Sequence, residues 1–227
     1  RHTRYGTVTG VQTCALPIFE QVVQGPAVLV GNSLGSLVAV TCAVFFPRWV
    51  VAVVAAPLPD PTLVMPMAAR RRPWRRRLQR RLVVLLCRLL PLELLVPLIA
   101  RTPLLDLGLR SAYSTPQPVD RELRRLVARP ALRPQAPRAL RAMSIGMALR
   151  PRGATAAALL QRMRQPLLVL WGSHDRLVPP AIAEQLGQHK PDLTLQLLPR
   201  LGHCPHDERP ALFNQALLQW LERQTST

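Results

Sequence analysis

Lysine is almost absent from this 227-residue chain: of thirty basic residues twenty-nine are arginine, and Lys190 stands alone. Acidic residues are also few, twelve in all, which leaves a formal charge of +18. Only ten residues are aromatic, so there is little stacking surface for single-stranded nucleic acid. The four cysteines, Cys14, Cys42, Cys87 and Cys204, are scattered without a C-x-x-C pair. That argues against both a zinc site and a disulfide framework, and a reducing, cytoplasmic setting is the expectation. No uninterrupted apolar run of membrane-spanning length occurs. Residues 82–100 come nearest, but they carry Arg88, Glu93 and two prolines. A charge at mid-bilayer costs ~2.5–3.5 kcal/mol, so a lid or an interfacial helix is expected there.

What the chain does have is apolar mass: 48% of its residues are hydrophobic, enough for a sizeable core. The positive charge is not spread evenly. Residues 60–152 hold twenty arginines against five acids (Asp60, Glu93, Asp106, Asp120, Glu122), a net of +15, while the remainder nets +3. The charge therefore belongs to one internal segment, and coding bias toward arginine accounts for part of it. Residues 1–18 show neither helical nor strand periodicity and lack a signal-peptide layout. They resemble translated sequencing-adapter text, and the native protein is expected to enter near Phe19.

Beyond this leader, apolar runs alternate with helical patterns. Residues 27–30 are a short, continuous apolar run ending at Gly31, followed by a buried helical pattern over 34–46. Residues 49–56, 167–170 and 194–198 read as further strands, and 180–189 and 211–222 as helices. This alternation predicts an α/β fold with a parallel sheet. Residues 58–152 interrupt it with Arg, Leu and Pro at helical spacing and proline breaks at Pro91, Pro97, Pro103 and Pro130. The expected organisation is a core of 19–57 and 153–227 with a helical cap of 58–152 inserted.

Three positions carry chemistry. Gly31-Asn32-Ser33-Leu34-Gly35 fits G-x-S-x-G between an apolar strand and a helix, the context in which a serine hydroxyl is exposed on a strained turn. Small neighbours, Gly31 and Gly35, let strand and helix approach, and the Leu34 backbone N–H at the helix start is a candidate oxyanion donor. A serine hydroxyl needs a base and an orienting acid. Asp175 follows the third strand in Gly172-Ser173-His174-Asp175, and His203 follows the fourth in Leu201-Gly202-His203-Cys204. Both lie at carboxyl strand ends, where catalytic groups of open α/β sheets gather. His174 reads as a neighbour tuning Asp175, His206 as a loop or cap-contact residue, and Asp207 as the N-cap of the last helix.

On these motifs the chain resembles the carboxyl-terminal part of an α/β-hydrolase, over residues 27–223. GNSLGS at 31–36 with GHCPHDERP at 202–210 further resembles pheophytinase- and chlorophyll-dephytylase-like hydrolases of plants and cyanobacteria. The resemblance implies Ser33 as nucleophile, His203 as general base and Asp175 as acid, in ester hydrolysis with no metal or organic cofactor. Such folds have further strands before the nucleophile strand and a loop supplying a second oxyanion donor. The 26 residues before Ala27 cannot hold them, so a truncated α/β-hydrolase fold is expected, folding poorly and weakly active in isolation.

Within the cap, Arg70-Arg71-Arg72-Pro73-Trp74-Arg75-Arg76-Arg77 precedes a leucine-rich stretch. That order suits a lid over a lipophilic ester, or peripheral contact through 70–100 with an anionic membrane. The rivals are a thioesterase, acyltransferase or perhydrolase of the same fold, a relative that kept the motifs without catalysis, and a basic membrane- or nucleic-acid-binding module. Nucleic acid is the disfavoured partner, for want of aromatic residues.

Overall fold

The computed structural model describes residues 15–60, 63, 73–114 and 121–225. Most of the suspected leader (1–14) and the Arg70-Arg71-Arg72 part of the basic run lie outside the described residues. The chain divides into two compact units, with boundaries at 64/65, 111/112, 115/116 and 150/151.

The core unit is built on four strands, β1 (Ala27–Asn32), β2 (Val50–Ala56), β3 (Leu167–Gly172) and β4 (Thr194–Leu198). They are parallel and ordered β1-β2-β3-β4, with Val30 opposite Val54, Val54 opposite Leu168 and Leu170 opposite Gln196. The continuous apolar runs are explained by burial on both faces: every residue of β3 is buried. On one face Ala52, Val54, Leu168, Leu170 and Leu198 pack against Phe213, Ala216 and Trp220, borne on the carboxyl-terminal helix (Pro210–Thr225). On the other lies α1 (Leu34–Phe45), whose Leu37, Val40 and Ala43 are buried. Strand β1 is at the sheet edge, and Val30 is 54% exposed. Residues 180–188, expected as an α-helix, form a 3₁₀ helix instead (Pro180–Gln188). Its ends are closed by i→i+3 bonds, Ile182 N–H to Pro179 O and His189 N–H to Leu186 O.

The second unit, which corresponds to the segment expected as a cap and is called the cap unit, contains α2 (Pro73–Leu89), α3 (Leu92–Arg101), α4 (Leu104–Ala112, which leaves the unit at its last residue), α5 (Arg121–Ala131) and α6 (Ala136–Leu149). Two of the four prolines behave as breaks, Pro91 between α2 and α3 and Pro103 before α4. Pro97 and Pro130 lie inside helices, each giving up one backbone donor; α3 runs on to Arg101, whereas α5 stops one residue past Pro130, at Ala131.

Residues 58–60 and 112–114, which sequence patterning assigns to the cap, cluster with the core unit. The reason is polar. Asp60 is buried and its carboxylate accepts the Ala156 N–H at 2.6 Å, at the start of α7 (Ala156–Leu160). Residues 112–114 are held by the loop that follows β4, as described next.

Candidate active site

The turn between β1 and α1 is formed by Ser33, with φ 53° and ψ −117°. Few L-residues adopt that region, and holding one there costs ~1–3 kcal/mol that the surroundings must supply. Three contacts supply it. The Ser33 N–H donates to Ala56 O at 3.0 Å. The buried Ser36 hydroxyl donates to Gly31 O at 2.7 Å and accepts the Ala56 N–H at 3.0 Å, tying β1, α1 and the end of β2 together. A Cβ on Gly31 would collide with the Gly35 carbonyl, so only glycine permits the helix to start this close to the strand. A serine before a helix ordinarily caps it, yet Ser33 makes no capping bond through its side chain. The Leu34 N–H, as the first of α1, has no intrahelical acceptor.

Asp175 and His203 arrive from the ends of β3 and β4. Both are buried, and His203 Nδ1 lies 2.9 Å from Asp175 Oδ2. The second carboxylate oxygen, Oδ1, accepts the backbone N–H groups of Leu177 and Val178, each at 2.9 Å. Those two bonds fix the carboxylate's orientation and leave Oδ2 for the imidazole. A Cβ on Gly172 would strike the carbonyls of Leu201 and Gly202, so glycine lets the acid loop and the histidine loop touch. With Nδ1–H donating to the carboxylate, Nε2 remains as the basic nitrogen. Asp60, another buried carboxylate, is engaged by Ala156 and belongs to the scaffold.

The elbow and the His–Asp pair are joined through Asn32. Its side-chain amide donates to Ala56 O and to His203 O, the latter at 3.0 Å. The structure thus brings Gly31, Asn32, Ser33, Leu34 and Gly35 to one strand end and connects that end to the loop of His203, which holds Asp175.

Four residues outside the motif reading shape this loop. Buried Glu208 accepts the Gly202 N–H through Oε1 at 2.6 Å, and through Oε2 the Ser114 N–H at 3.1 Å. The Ser114 hydroxyl lies 2.8 Å from the same Oε2 and also reaches Arg200 O. The His203 N–H donates to Ala112 O at 2.7 Å, and the Tyr113 hydroxyl donates to Asp207 at 2.6 Å. Asp207 is therefore not the N-cap of the last helix: it sits inside a separate short helix, α8 (Pro205–Glu208), one turn before α9 (Pro210–Thr225). The local signal for Glu208 was its place in GHCPHDERP, but its partner Ser114 is 94 residues away, beyond any spacing rule.

The remaining candidates fall aside. His174 is exposed and pairs with Ser173 Oγ at 2.9 Å. His206 packs edge-on against Phe213. Burial, reinforced by Asp207, Glu208 and Asp175, pushes the Cys204 thiol up to about 11, so it is a protonated neighbour of His203 and a poor nucleophile. Among the described residues no group of three or more His, Cys, Asp or Glu side chains is arranged to hold a metal.

Comparison with known proteins places this geometry in a wider set. A segment of 63 residues is 33% identical to the uncharacterized hydrolase YugF of Bacillus subtilis (strain 168), covering 28% of this chain and 23% of that protein. The chain thus spans under a quarter of that relative's length. Among solved structures, a membrane phospholipase A described as a bacterial virulence factor aligns with 100% of this chain and 66% of its own, at a TM-score of 0.68 and 21% identity. A thermophilic esterase from Thermogutta terrifontis aligns over 97% of this chain and 74% of its own, at 0.61 and 20%. These structural likenesses show the fold, whereas the narrower likeness to pheophytinase-type hydrolases rests on the two sequence motifs alone. A profile of the alpha/beta hydrolase family matches residues 2–216, and the chain belongs to that family.

Proposed function

We propose that the chain carries the catalytic machinery of a serine esterase acting through an acyl-enzyme. The observation that supports this most is the buried His203–Asp175 hydrogen bond, joined through Asn32 to the strained turn that bears Ser33. In the proposed cycle Ser33 Oγ attacks the ester carbonyl carbon while His203 Nε2 takes the hydroxyl proton. Asp175 stabilises the imidazolium, and the Leu34 N–H donates to the developing oxyanion. The imidazolium returns its proton to the leaving alkoxide. Water then attacks the acyl-serine with His203 again as base, releasing the acid and restoring Ser33. Every step uses this chain's side chains, its backbone and water.

A lipophilic carboxylic ester is the proposed substrate class, in keeping with a leucine-rich cap and with the esterase and phospholipase among the structural neighbours. Thioester hydrolysis and acyl transfer use the same machinery and are decided by the pocket. Fluorophosphonate labelling of the full-length gene product tests the core of the reading. Labelling is expected at Ser33, with Ser33→Ala abolishing it and lowering ester turnover ~10⁴-fold or more. Undiminished labelling or turnover in Ser33→Ala sinks the reading.

A further inference from the structure

Helix α2 wears its apolar side outward. Trp74, Leu78, Leu82, Leu85, Leu86 and Leu89 recur at i, i+4, i+8, i+11, i+12 and i+15, one stripe of a helix, and all are exposed; Trp74 is 59% and Leu89 70% accessible. The opposite side is the one in use. Val83, Val84 and Cys87 are half-buried where α2 packs on α6, and Arg80 donates to the Arg150 carbonyl at 2.7 Å. Along one flank of the stripe run Arg77, Arg81 and Arg88, all exposed and without an ion pair among the described residues. The next helix, α3, leaves Leu94 72% exposed and Leu98 more than half exposed.

A contiguous apolar face of this size is not left to water in a protein without something to cover it. The flanking charge selects the occupant. A bordering row of arginines, in a segment of net +15, fits an anionic surface, and a tryptophan near the end of the stripe suits the boundary between headgroups and acyl chains. No single helix among the described residues is long and apolar enough to cross a membrane; Arg80–Leu89 and Leu92–Arg101 reach that length and hydropathy only as a pair, and the pair is bent by 73°, while the row of exposed arginines along the stripe favours lying in the interface. We propose that the Trp74–Leu89 stripe of α2 docks the cap unit in-plane onto an anionic lipid bilayer, leucines in the acyl boundary and Arg77, Arg81 and Arg88 on the headgroups. This surface is independent of the esterase chemistry proposed above.

The test is flotation of the chain with phosphatidylcholine vesicles and with vesicles also containing phosphatidylglycerol, at low and high salt. Binding to the anionic vesicles is expected, weakened by salt. At about fivefold per headgroup arginine, Arg77→Gln/Arg81→Gln/Arg88→Gln should lower it ~10²-fold and remove the preference for phosphatidylglycerol. Leu82→Ser/Leu85→Ser/Leu89→Ser alters only exposed side chains and should abolish binding with an unchanged circular dichroism spectrum. In the unaltered chain, lipids brominated near the headgroup should quench tryptophan emission, and Trp74→Phe should remove that quenching. Absence of vesicle binding, binding indifferent to the leucine variant, or a dimer that the leucine variant dissociates would each overturn the proposal, the last by showing a second copy to be the occupant.

Discussion

Ser33 holds a backbone conformation that glycine would adopt without strain, and the residues around it explain why a serine is kept there. Ser36 and Ala56 bind the turn from both sides, and Gly31 removes the one side chain that would separate strand from helix. The two motif glycines consequently differ. A Cβ on Gly31 meets the Gly35 backbone, whereas one on Gly35 meets open space. Gly31→Ala should destabilise the core unit by ~1–3 kcal/mol or more, because backbone cannot step aside, while Gly35→Ala should leave it within ~0.5 kcal/mol. Urea unfolding of the two variants checks this, and equal effects would contradict the packing argument. Glu208 makes a second residue-scale case. Replacing it with Gln turns one acceptor oxygen into a donor facing backbone N–H groups, costing ~1–3 kcal/mol and loosening the His203 loop. The expected kinetic result is a lower kcat with little change in KM, since the substrate is not touched; a change in KM alone would assign Glu208 another role. Gly-x-Ser-x-Gly was readable because an elbow is local. Asn32, Ser36 and Glu208 were not readable as clamps, because each acts across a fold that local spacing does not encode.

At the scale of elements, the break between α2 and α3 is tied together from α6. Arg141 of α6 donates to Cys87 O at 2.9 Å, a carbonyl in the last turn of α2, and to Leu90 O at 3.0 Å, which also accepts the Leu92 N–H, and it pairs with Glu93 at 2.6 Å. The Arg141 hydrogen bond holds the Glu93 carboxyl down at about 2, from an ordinary 4.5. A carboxylate lowered on folding adds stability above its unfolded pKa, and that stability is lost as pH falls through the folded value. The α3–α6 tie should therefore hold at neutral pH and fail between about pH 4.5 and 2. Helical ellipticity of the chain should fall in that window, and Glu93→Gln should flatten the fall; an unchanged titration would show that the pair is not what anchors the bend. Pro91 announced this break in the sequence. Pro130 marks the end of α5, which stops one residue later at Ala131, whereas Pro97 announced a break that did not occur: α3 runs on to Arg101 past the single bond its proline gives up.

Over the whole molecule, large buried side chains are unevenly shared. The core unit buries Trp171, Trp220, Leu159, Leu160, Leu168 and Leu170 almost completely, whereas among the described residues of the cap unit the buried hydrophobics are Ala100, Leu109 and Ala128. Local opening free energy follows such burial, so amide exchange should be far slower in β2 and β3 than in α2–α6, by ~10²-fold or more. Uniform protection across both units would refute this division. The order of chemistry-bearing residues, the strand-end positions of Asp175 and His203, the β-branched runs and the concentration of arginine were determined by sequence alone, since they depend on identity and near-neighbour periodicity. Which carboxylate holds His203, which residues pin its loop, where segment 112–114 belongs and which side of α2 meets solvent were decided by tertiary structure. Those outcomes depend on hydrogen bonds and packing between residues tens of positions apart, and linear spacing carries no information about which distant partner will be met.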